Sequence, residues 1–312
     1  MTPSHPVRLP ELPSTGHLWR TGQLHENGLN SRAIKVLVLH KKLVRLRYGC
    51  YIRGELWEKQ TRAVRSMQLI RAHAHGTLTT SYGDAVYSHT SAARLHGLRL
   101  WGVDDLIHLL LRVSPSSERL GKDVRGHARP YADSEVVTIG KLRVTSLERT
   151  VVDCAMMLGY RQALVLMDHA LRLGADKALM ETMANGLPGR RGIRALRQAL
   201  ANADRRSESA GETLTRELIM RLNLPMPEPQ VEVATRAGRY RLDFAWKEKK
   251  VALEFDGKTK YFDYKPTAEV LFQERQRENA LAEDGWKFLR VKWADLFDEQ
   301  EFKTRVLAAL RR

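Results

Sequence analysis

The chain has 312 residues, of which 43% are hydrophobic and 28% are charged. This composition is typical of a folded globular protein and excludes a wholly disordered chain. The sequence lacks an apolar run of roughly 18 or more residues, so we expect no membrane-spanning helix. The length exceeds what a single hydrophobic core usually holds, so we expect two or three domains.

The N-terminal residues and the two cysteines also bear on the cellular location of the protein. Residues 1–11 contain three prolines and lack the apolar core of a secretory signal. The two cysteines, Cys50 and Cys154, are far apart in sequence and give neither a disulfide framework nor a metal-ligand motif. Both observations fit a reducing compartment, so we predict a cytoplasmic protein.

Basic residues outnumber acidic ones by 52 to 36, which gives a formal net charge of +16. Such a chain attracts polyanions, nucleic acid first and anionic membranes second. The sequence shows no basic amphipathic helix with an aromatic face, which disfavours a membrane partner. The charge therefore indicates binding to nucleic acid, and its distribution must decide where.

Residues 18–55 have the pattern of a winged helix-turn-helix. A turn and a helix cap at residues 28–31 precede a basic helix predicted over residues 32–42. Two short extended runs, residues 43–47 and 50–53, follow directly and are joined by a two-residue turn. Helix, turn, basic helix and basic hairpin are the parts of this DNA-binding motif.

The basic residues of this segment are clustered, and no acidic residue lies between Asn30 and Arg53. In a winged helix-turn-helix the second helix enters the major groove and the wing contacts the backbone or the minor groove. Neutralising several phosphates strengthens binding through counterion release. The alternative is a solvated basic face. We predict that double-stranded DNA is contacted by Ser31, Arg32, Lys35, Lys41, Lys42, Arg45 and Arg47.

Residues 56–206 are predicted to form a mixed α+β middle domain with a β-rich insert, which we interpret as a scaffold, hinge or partner surface. The glycine-rich loop at residues 186–192 lacks the Gly-Lys-Ser/Thr ending of a phosphate-binding loop. Several histidines of this segment lack the spacing of zinc ligands and are interpreted as packing or surface residues. These are His89, His96, His108 and His127.

Residues 240–246 and 251–256 alternate between apolar and polar side chains and predict a β-hairpin. If Trp246 pairs with Val251, Asp243 lies directly opposite Glu254 on one face. The Cβ atoms of such a pair are ~5 Å apart, and like charges there are destabilising. A divalent cation would offset the repulsion, so we predict Mg²⁺ or Mn²⁺ with these two carboxylates as ligands.

The same register places Arg241 opposite Asp256, which leaves open an ordinary surface network of ion pairs worth ~1 kcal/mol or less per pair. If the strand continues, two lysines beyond Asp256 reach the carboxylate face, where a lysine can orient the attacking water. Helices before and after the hairpin can add further groups. The predicted catalytic residues are Glu212, Asp243, Glu254, Asp256, Lys258, Lys260 and Arg277.

Both ends of the chain resemble known families. Residues 20–200, through residues 43–51 and 88–93, resemble the AbiEi-type antitoxin family. Residues 207–312 resemble the very-short-patch-repair endonuclease-like domain of the PD-(D/E)XK superfamily. The matching motifs there are Gly211-Glu212, Arg241-Leu242-Asp243-Phe244, residues 254–261, Arg277-Glu278 and Gly285-Trp286.

Each resemblance implies a function. In the nuclease superfamily an Asp, and an Asp or Glu two residues before a Lys, hold metal and activate water. Asp243 and Glu254 match the acids, whereas Asp256 stands at the position of the Lys, so Lys258 or Lys260 would have to replace it. The antitoxin resemblance implies a DNA-binding repressor of its own operon that counteracts a nucleotidyltransferase toxin.

The predicted fold class is therefore α/β multidomain. It comprises a winged helix-turn-helix over residues 18–55, a middle domain over residues 56–206 and a restriction-endonuclease-like mixed sheet flanked by helices over residues 207–312. The first functional hypothesis is a divalent-metal-dependent DNA endonuclease. The alternative is an AbiEi-type antitoxin or transcriptional repressor whose nuclease-like domain is inactive and serves for DNA binding or for forming a homodimer.

Overall fold

The computed structural model describes residues 9–77, 85–112, 120–257 and 268–311. These residues form helices and three β-sheets, which confirms the mixed α/β class. The chain divides into two compact units, unit 1 with residues 1–97 and 103–150 and unit 2 with residues 98–102 and 151–312. The three domain boundaries drawn from the sequence stay predictions. No helix within the described ranges is long and apolar enough to cross a membrane.

Unit 1 begins with short helices around a three-stranded sheet. Its elements are β1 (Leu18–Arg20), α1 (Thr21–Glu26), α2 (Ser31–Leu39), β2 (Leu43–Arg47) and β3 (Cys50–Arg53), with the strand order β1-β3-β2. The Asn30 side chain accepts a hydrogen bond from the Ala33 backbone N at 2.9 Å and caps α2. Helix α2 ends earlier than predicted because Lys41 has a left-handed φ of 56°. Ile34 and Leu37 form its buried face.

Unit 1 continues with a five-stranded sheet of order β6-β5-β4-β8-β7. Its elements are α3 (Gly54–Lys59), α4 (Arg62–Thr77), β4 (Val86–Tyr87), α5 (His89–Leu95), β5 (Ile107–Leu111), β6 (Val124–Ala128), β7 (Val136–Ile139) and β8 (Leu142–Thr145). Every residue of β5 is buried, and β5 packs with Ile70 of α4 and Ala92 of α5. The sequence analysis missed β6, because Arg125, Gly126 and His127 give it little intrinsic strand preference. The parallel pairing of β6 with β5 holds these residues in a strand.

Unit 2 contains residues 98–102 and then the chain from residue 151 onward, which lies within α6 (Leu147–Met157). The following helices are α7 (Tyr160–Arg172), α8 (Lys177–Asn185), α9 (Ile193–Asn202) and α10 (Ala210–Arg221). Arg216 of α10 forms an ion pair with Asp168 of α7, with Nη2 and Oδ2 2.7 Å apart, and both side chains are buried. Thr213 donates a further hydrogen bond to Asp168. A charged pair therefore joins α7 to α10 in the interior of unit 2.

The last part of unit 2 is a four-stranded sheet of order β12-β11-β10-β9, in which β11 and β12 are parallel. Its elements are β9 (Glu228–Thr235), β10 (Gly238–Trp246), β11 (Val251–Phe255), α11 (Ala268–Glu283), β12 (Lys287–Val291) and α12 (Glu299–Arg311). Trp246 pairs with Val251, as the sequence predicted. Phe244 and Leu253 pack with Phe302 of α12 in the main core of the unit.

The predicted alternation along β10 is wrong at one point. Leu242 packs with Ala252, in a cluster separate from that of Phe244, although the sequence placed Leu242 and Phe244 on one face. The pairing of β9 with β10 skips the residue between them, Asp243, and the opposing Gln230 has a left-handed φ of 54°. The register is nevertheless constant from the pair Gly238–Thr235 to the pair Ala245–Glu228, so neither strand contains an inserted residue. Asp243, a candidate metal ligand, lies where the pairing is interrupted.

Candidate active site

A cleft with a volume of about 700 Å³ lies in unit 2 beside the end of β11. Its lining comes from the start of α10, from β10 and β11, and from α11. Two of the predicted catalytic residues, Lys258 and Lys260, lie outside the described residues. All the others line this cleft: Glu212, Asp243, Glu254, Asp256 and Arg277.

Asp243 and Glu254 lie on the neighbouring strands β10 and β11. The pairing of the two strands ends one residue short of them, at Phe244 and Leu253, so their direct opposition stays a prediction. The Asp243 Oδ2 atom accepts a hydrogen bond from the Phe255 backbone N at 3.0 Å. Burial raises the pKa of Glu254, Arg277 lowers it and the negative charge of Asp243 raises it again, so that this pKa stands above its usual value. The two carboxylates are therefore close enough for one to influence the ionisation of the other.

Glu212 adds a third carboxylate from the first turn of α10. The Ser209 Oγ atom caps this helix by accepting a hydrogen bond from the Glu212 backbone N at 3.1 Å. Glu212 is 6% exposed, and its Oε2 atom accepts hydrogen bonds from Glu208 N and Gln230 Nε2, each at 2.9 Å. Burial raises the pKa of Glu212, and the charge of Asp243 raises it further. Three acids in one cleft repel one another unless protons or cations intervene.

Gly211 permits the close approach that places Glu212 in the cleft. A Cβ atom on Gly211 would lie 2.0 Å from Cε1 of Phe255. This is far inside any contact distance, so no other residue fits without movement of the ring or of α10. The Gly211-Glu212 motif therefore seats the start of α10 against the end of β11.

We expect Gly211→Ala to lower the free energy of unfolding of unit 2 by ~1–3 kcal/mol, because the added methyl overpacks a filled space. The measurement is urea unfolding followed by tryptophan fluorescence. Gly186→Ala is the matched control, since its added methyl would lie at an ordinary contact distance of 3.4 Å from Met183 O. Equal unfolding midpoints for the two variants would contradict the close approach.

Two arginines neutralise part of the acidic charge. Arg277 of α11 forms an ion pair with Glu254 and donates a hydrogen bond to the Arg241 carbonyl O at 2.9 Å. Arg241 itself pairs with Glu208 at 2.7 Å, whereas the sequence analysis placed it opposite Asp256. That expectation is not met, because the pairing of β10 with β11 ends at Phe244 and Leu253 and Glu208 holds the Arg241 guanidinium. Asp256 lies directly after β11 and donates its backbone N–H to the carbonyl O of Val291 on β12 at 2.8 Å.

Sequence reasoning missed Gln230 and Glu208. Gln230 holds Glu212 through its Nε2 atom, and its Oε1 atom is buried without a hydrogen-bond partner in the described part of the chain. Glu208 accepts from Arg241 and also lies 3.5 Å from Arg172. Neither residue belongs to a recognisable sequence motif. Glu208 lines the cleft from the segment just before α10, and Gln230 contacts Glu212 from β9.

Most of the predicted DNA-contacting residues of unit 1 are exposed, namely Ser31, Arg32, Lys35, Lys41, Lys42 and Arg45. The Arg45 guanidinium lies 5.1 Å from the ring centre of Tyr48, which is 92% exposed at the hairpin turn. Arg47 differs, because it forms an ion pair with Asp123 and its side chain is 22% exposed. The sequence did not reveal this acidic partner, which lies 76 positions away. The DNA contact of Arg47 stays a prediction.

Three of the four singled-out histidines come together in unit 1, which their spacing did not predict. One ring nitrogen from each of His89, His108 and His127 lies within 4.8 Å of the others, whereas His96 Nε2 contacts the Thr145 carbonyl O at 2.7 Å. Burial lowers the pKa of all three clustered histidines, to about 4 for both His108 and His127. These imidazoles are therefore uncharged at neutral pH.

Comparisons with known proteins identify similar proteins but no family. No family model matches the sequence. Uncharacterized protein MT2308 and Uncharacterized protein Rv2248, from two strains of Mycobacterium tuberculosis, are each 31% identical to this chain over 144 residues. The matches cover 46% of this chain and 52% of each relative, so the chain spans about half the length of the curated relatives it matches. The crystal structure of the RV2827C protein from Mycobacterium tuberculosis aligns with a TM-score of 0.40 and 14% identity, over 59% of this chain and 72% of that one.

Proposed function

We propose that this protein is a divalent-metal-dependent DNA endonuclease whose active site is the cleft of unit 2. The observation that carries the proposal is the convergence of Glu212, Asp243 and Glu254 from three separate elements. Two of these acids have a raised pKa to which the third contributes. Such mutual repulsion is unfavourable in a cluster that serves only for structure. A metal site, in contrast, needs the negative charges that cause it.

The donor atoms of the cleft fit Mg²⁺ or Mn²⁺. These hard cations take oxygen ligands from carboxylates, amides and water. Asp243 and Glu254 would hold the ion, with Glu212 beside them, and the buried Gln230 Oε1 is an amide oxygen that lacks a hydrogen-bond partner among the described residues. When bound, the metal supplies a more acidic water molecule and stabilises negative charge on a phosphodiester.

The side chains of the cleft have distinct roles in this proposal. Arg277 orients Glu254 through their ion pair. Its guanidinium can also bind two phosphate oxygens at once, so it can exchange this contact for the DNA backbone. Glu212, whose pKa burial and the Asp243 charge raise above its usual value, is suited to exchange a proton with the reacting groups. The predicted lysines, Lys258 and Lys260, would orient the attacking water.

Residues 18–55 would deliver the nuclease to duplex DNA as a winged helix-turn-helix. Exposed basic side chains on α2 and on the β2–β3 hairpin support this role, as does the exposed Tyr48 at the turn. Arg32 and Lys35 of α2 would enter the major groove, and Arg45 would contact the backbone or the minor groove.

The triple variant Arg32→Ala, Lys35→Ala and Arg45→Ala is expected to weaken duplex binding and to flatten its salt dependence. Each lost phosphate contact lowers the slope of log K against log salt by about 0.9. Fluorescence anisotropy over a salt series measures the slope. The control is Arg191→Ala, Arg194→Ala and Arg197→Ala, which removes the same charge from exposed residues of unit 2. Equal slopes for the two triple variants would place the DNA surface elsewhere.

The nuclease proposal is tested by incubating the purified chain with supercoiled plasmid in Mg²⁺, in Mn²⁺ and in EDTA. We expect nicked and linear products with either metal and none in EDTA. An unchanged plasmid in all three conditions, together with a retained gel shift, would overturn the nuclease and leave a DNA-binding protein.

A second candidate is a DNA-binding repressor of the AbiEi type whose nuclease-like unit serves for binding or for forming a homodimer. Two observations favour it. Asp256 stands where the resemblance places a lysine, and Arg277 is bound to Glu254, a carboxylate that the metal needs. Co-expression with a nucleotidyltransferase encoded beside the gene tests this candidate. Rescue of growth by the chain would support it, and growth arrest in its presence would oppose it.

A further inference from the structure

Three histidines of unit 1 form a buried cluster that the proposed nuclease does not use. His89 is the first residue of α5, His108 lies on β5 and His127 lies on β6. One ring nitrogen of each lies within 4.8 Å of one ring nitrogen of each of the others. His89 and His108 are 2% and 0% exposed, and His127 is half-buried.

Backbone hydrogen bonds hold the three residues in place. His127 lies opposite Leu110 on parallel strands, two residues along from His108, so both histidines occupy one face of the sheet. The Ser88 N–H donates to the His108 carbonyl O at 3.0 Å, and the His108 N–H donates to Ser91 Oγ at 2.8 Å. The start of α5 is thus seated on β5, and ring rotation is enough to rearrange the nitrogens.

The spacing of the nitrogens suits one metal ion. His108 Nδ1 and His127 Nε2 lie 2.9 Å apart, and the largest separation in the cluster is within 4.8 Å. A tetrahedral zinc ion with Zn–N bonds of ~2.0–2.1 Å places its nitrogens roughly 3.4 Å apart. The three rings lie within 27° of parallel. The rings are stacked, so their lone pairs lie in nearly parallel planes, and binding one ion requires the rings to turn about their Cβ–Cγ bonds.

The remaining ring nitrogens have the surroundings of metal-bound histidines. His89 Nδ1 lies 3.0 Å from Ser88 Oγ, which leaves its Nε2 atom for a ligand. His108 Nε2 lies 3.6 Å from the Asp104 carboxylate, the kind of partner that orients a metal-bound imidazole. At this distance His108 Nε2 is buried and makes no hydrogen bond within the described residues. His89 also has a φ of 47°, an uncommon conformation that tends to occur at functional sites.

We propose that His89, His108 and His127 bind a transition-metal ion of the Zn²⁺ class and leave a fourth position for water or an external ligand. Three imidazole nitrogens are a donor set of catalytic zinc sites, and they also suit Cu²⁺ and Ni²⁺. The three ligands include no carboxylate, so Mg²⁺ does not compete. This site belongs to unit 1 and does not depend on the acids of unit 2.

Calorimetric titration of Zn²⁺ into EDTA-treated, desalted full-length protein tests the proposal. The wild type and the His40→Gln control, which changes an exposed histidine, should each bind one equivalent at this site. His127→Gln removes a half-buried ligand and should weaken that binding by at least ~100-fold. The double variant Asp243→Asn and Glu254→Gln should retain the equivalent, which separates this site from the proposed nuclease centre. Equal affinity in the wild type and His127→Gln would overturn the proposal.

Cobalt provides a measurement that does not require a variant to fold. Co²⁺ added to the wild type should give the intense visible absorption of a four-coordinate site, and Zn²⁺ should displace it. The weak absorption of six-coordinate Co²⁺ would overturn the proposal.

Plasmid nicking by His127→Gln should equal that of the wild type.

Discussion

Asp243→Asn is expected to abolish metal-dependent plasmid nicking, with a fall in rate of at least ~100-fold. The substitution removes the negative charge between Glu212 and Glu254 that a cation would need. It keeps the shape of the side chain, and the Asn Oδ1 atom can still accept the hydrogen bond that Phe255 N–H donates to Asp243. Duplex DNA affinity in a gel shift should therefore stay close to that of the wild type.

The matched control for this experiment is Glu248→Gln, which removes one charge from the exposed turn between β10 and β11. It should nick plasmid at the wild-type rate. Circular dichroism and urea unfolding of both variants check that the fold is intact. If Asp243→Asn nicks at the wild-type rate, or if it unfolds unit 2, the carboxylates are structural and the nuclease proposal fails.

Arg216→Ala is expected to lower the free energy of unfolding of unit 2 by ~3–5 kcal/mol, because it leaves the buried Asp168 charge without its partner. Arg216 also donates a hydrogen bond to the Asn202 carbonyl O at 2.6 Å, which is lost as well. Urea unfolding midpoints measure the effect. Arg206→Ala breaks the exposed pair with Asp204 and should cost ~1 kcal/mol or less.

The pH dependence of the same variant gives a second readout. Burial raises the pKa of Asp168 above its usual value even though Arg216 lowers it. Without Arg216 the folded-state pKa rises further above the unfolded one, so protonation favours the fold. The loss of stability in Arg216→Ala should therefore shrink as the pH is lowered and Asp168 becomes protonated. A loss that is constant with pH would show that packing, not charge, accounts for it.

Much of the local structure of this protein could be predicted from neighbouring residues. Asn30 caps α2 through its own side chain, and the hairpin of β10 and β11 has the predicted register with Trp246 opposite Val251. Interactions of this kind join residues a few positions apart, so a reader of the sequence sees both partners together. That register led to the prediction that Asp243 and Glu254 share a face, because a strand pair determines which side chains lie together. Both carboxylates line the cleft, although the pairing itself ends at Phe244 and Leu253.

The tertiary structure decided what depended on distant partners. Arg47 is held by Asp123, 76 positions away, and Arg241 by Glu208, 33 positions away. Neither pairing could be predicted from the sequence. An arginine near the surface can form ion pairs of similar free energy with many different acidic residues.

The same reason explains both candidate metal sites. The third acid, Glu212, reaches the cleft because Gly211 lets the start of α10 approach Phe255 closely. The histidines converge through the parallel pairing of β5 with β6 and the seating of α5 on the sheet. The sequence by itself determined the charge, the N-terminal cap of α2 and the hairpin register. Packing between elements that are remote in the chain determined which further side chains join them.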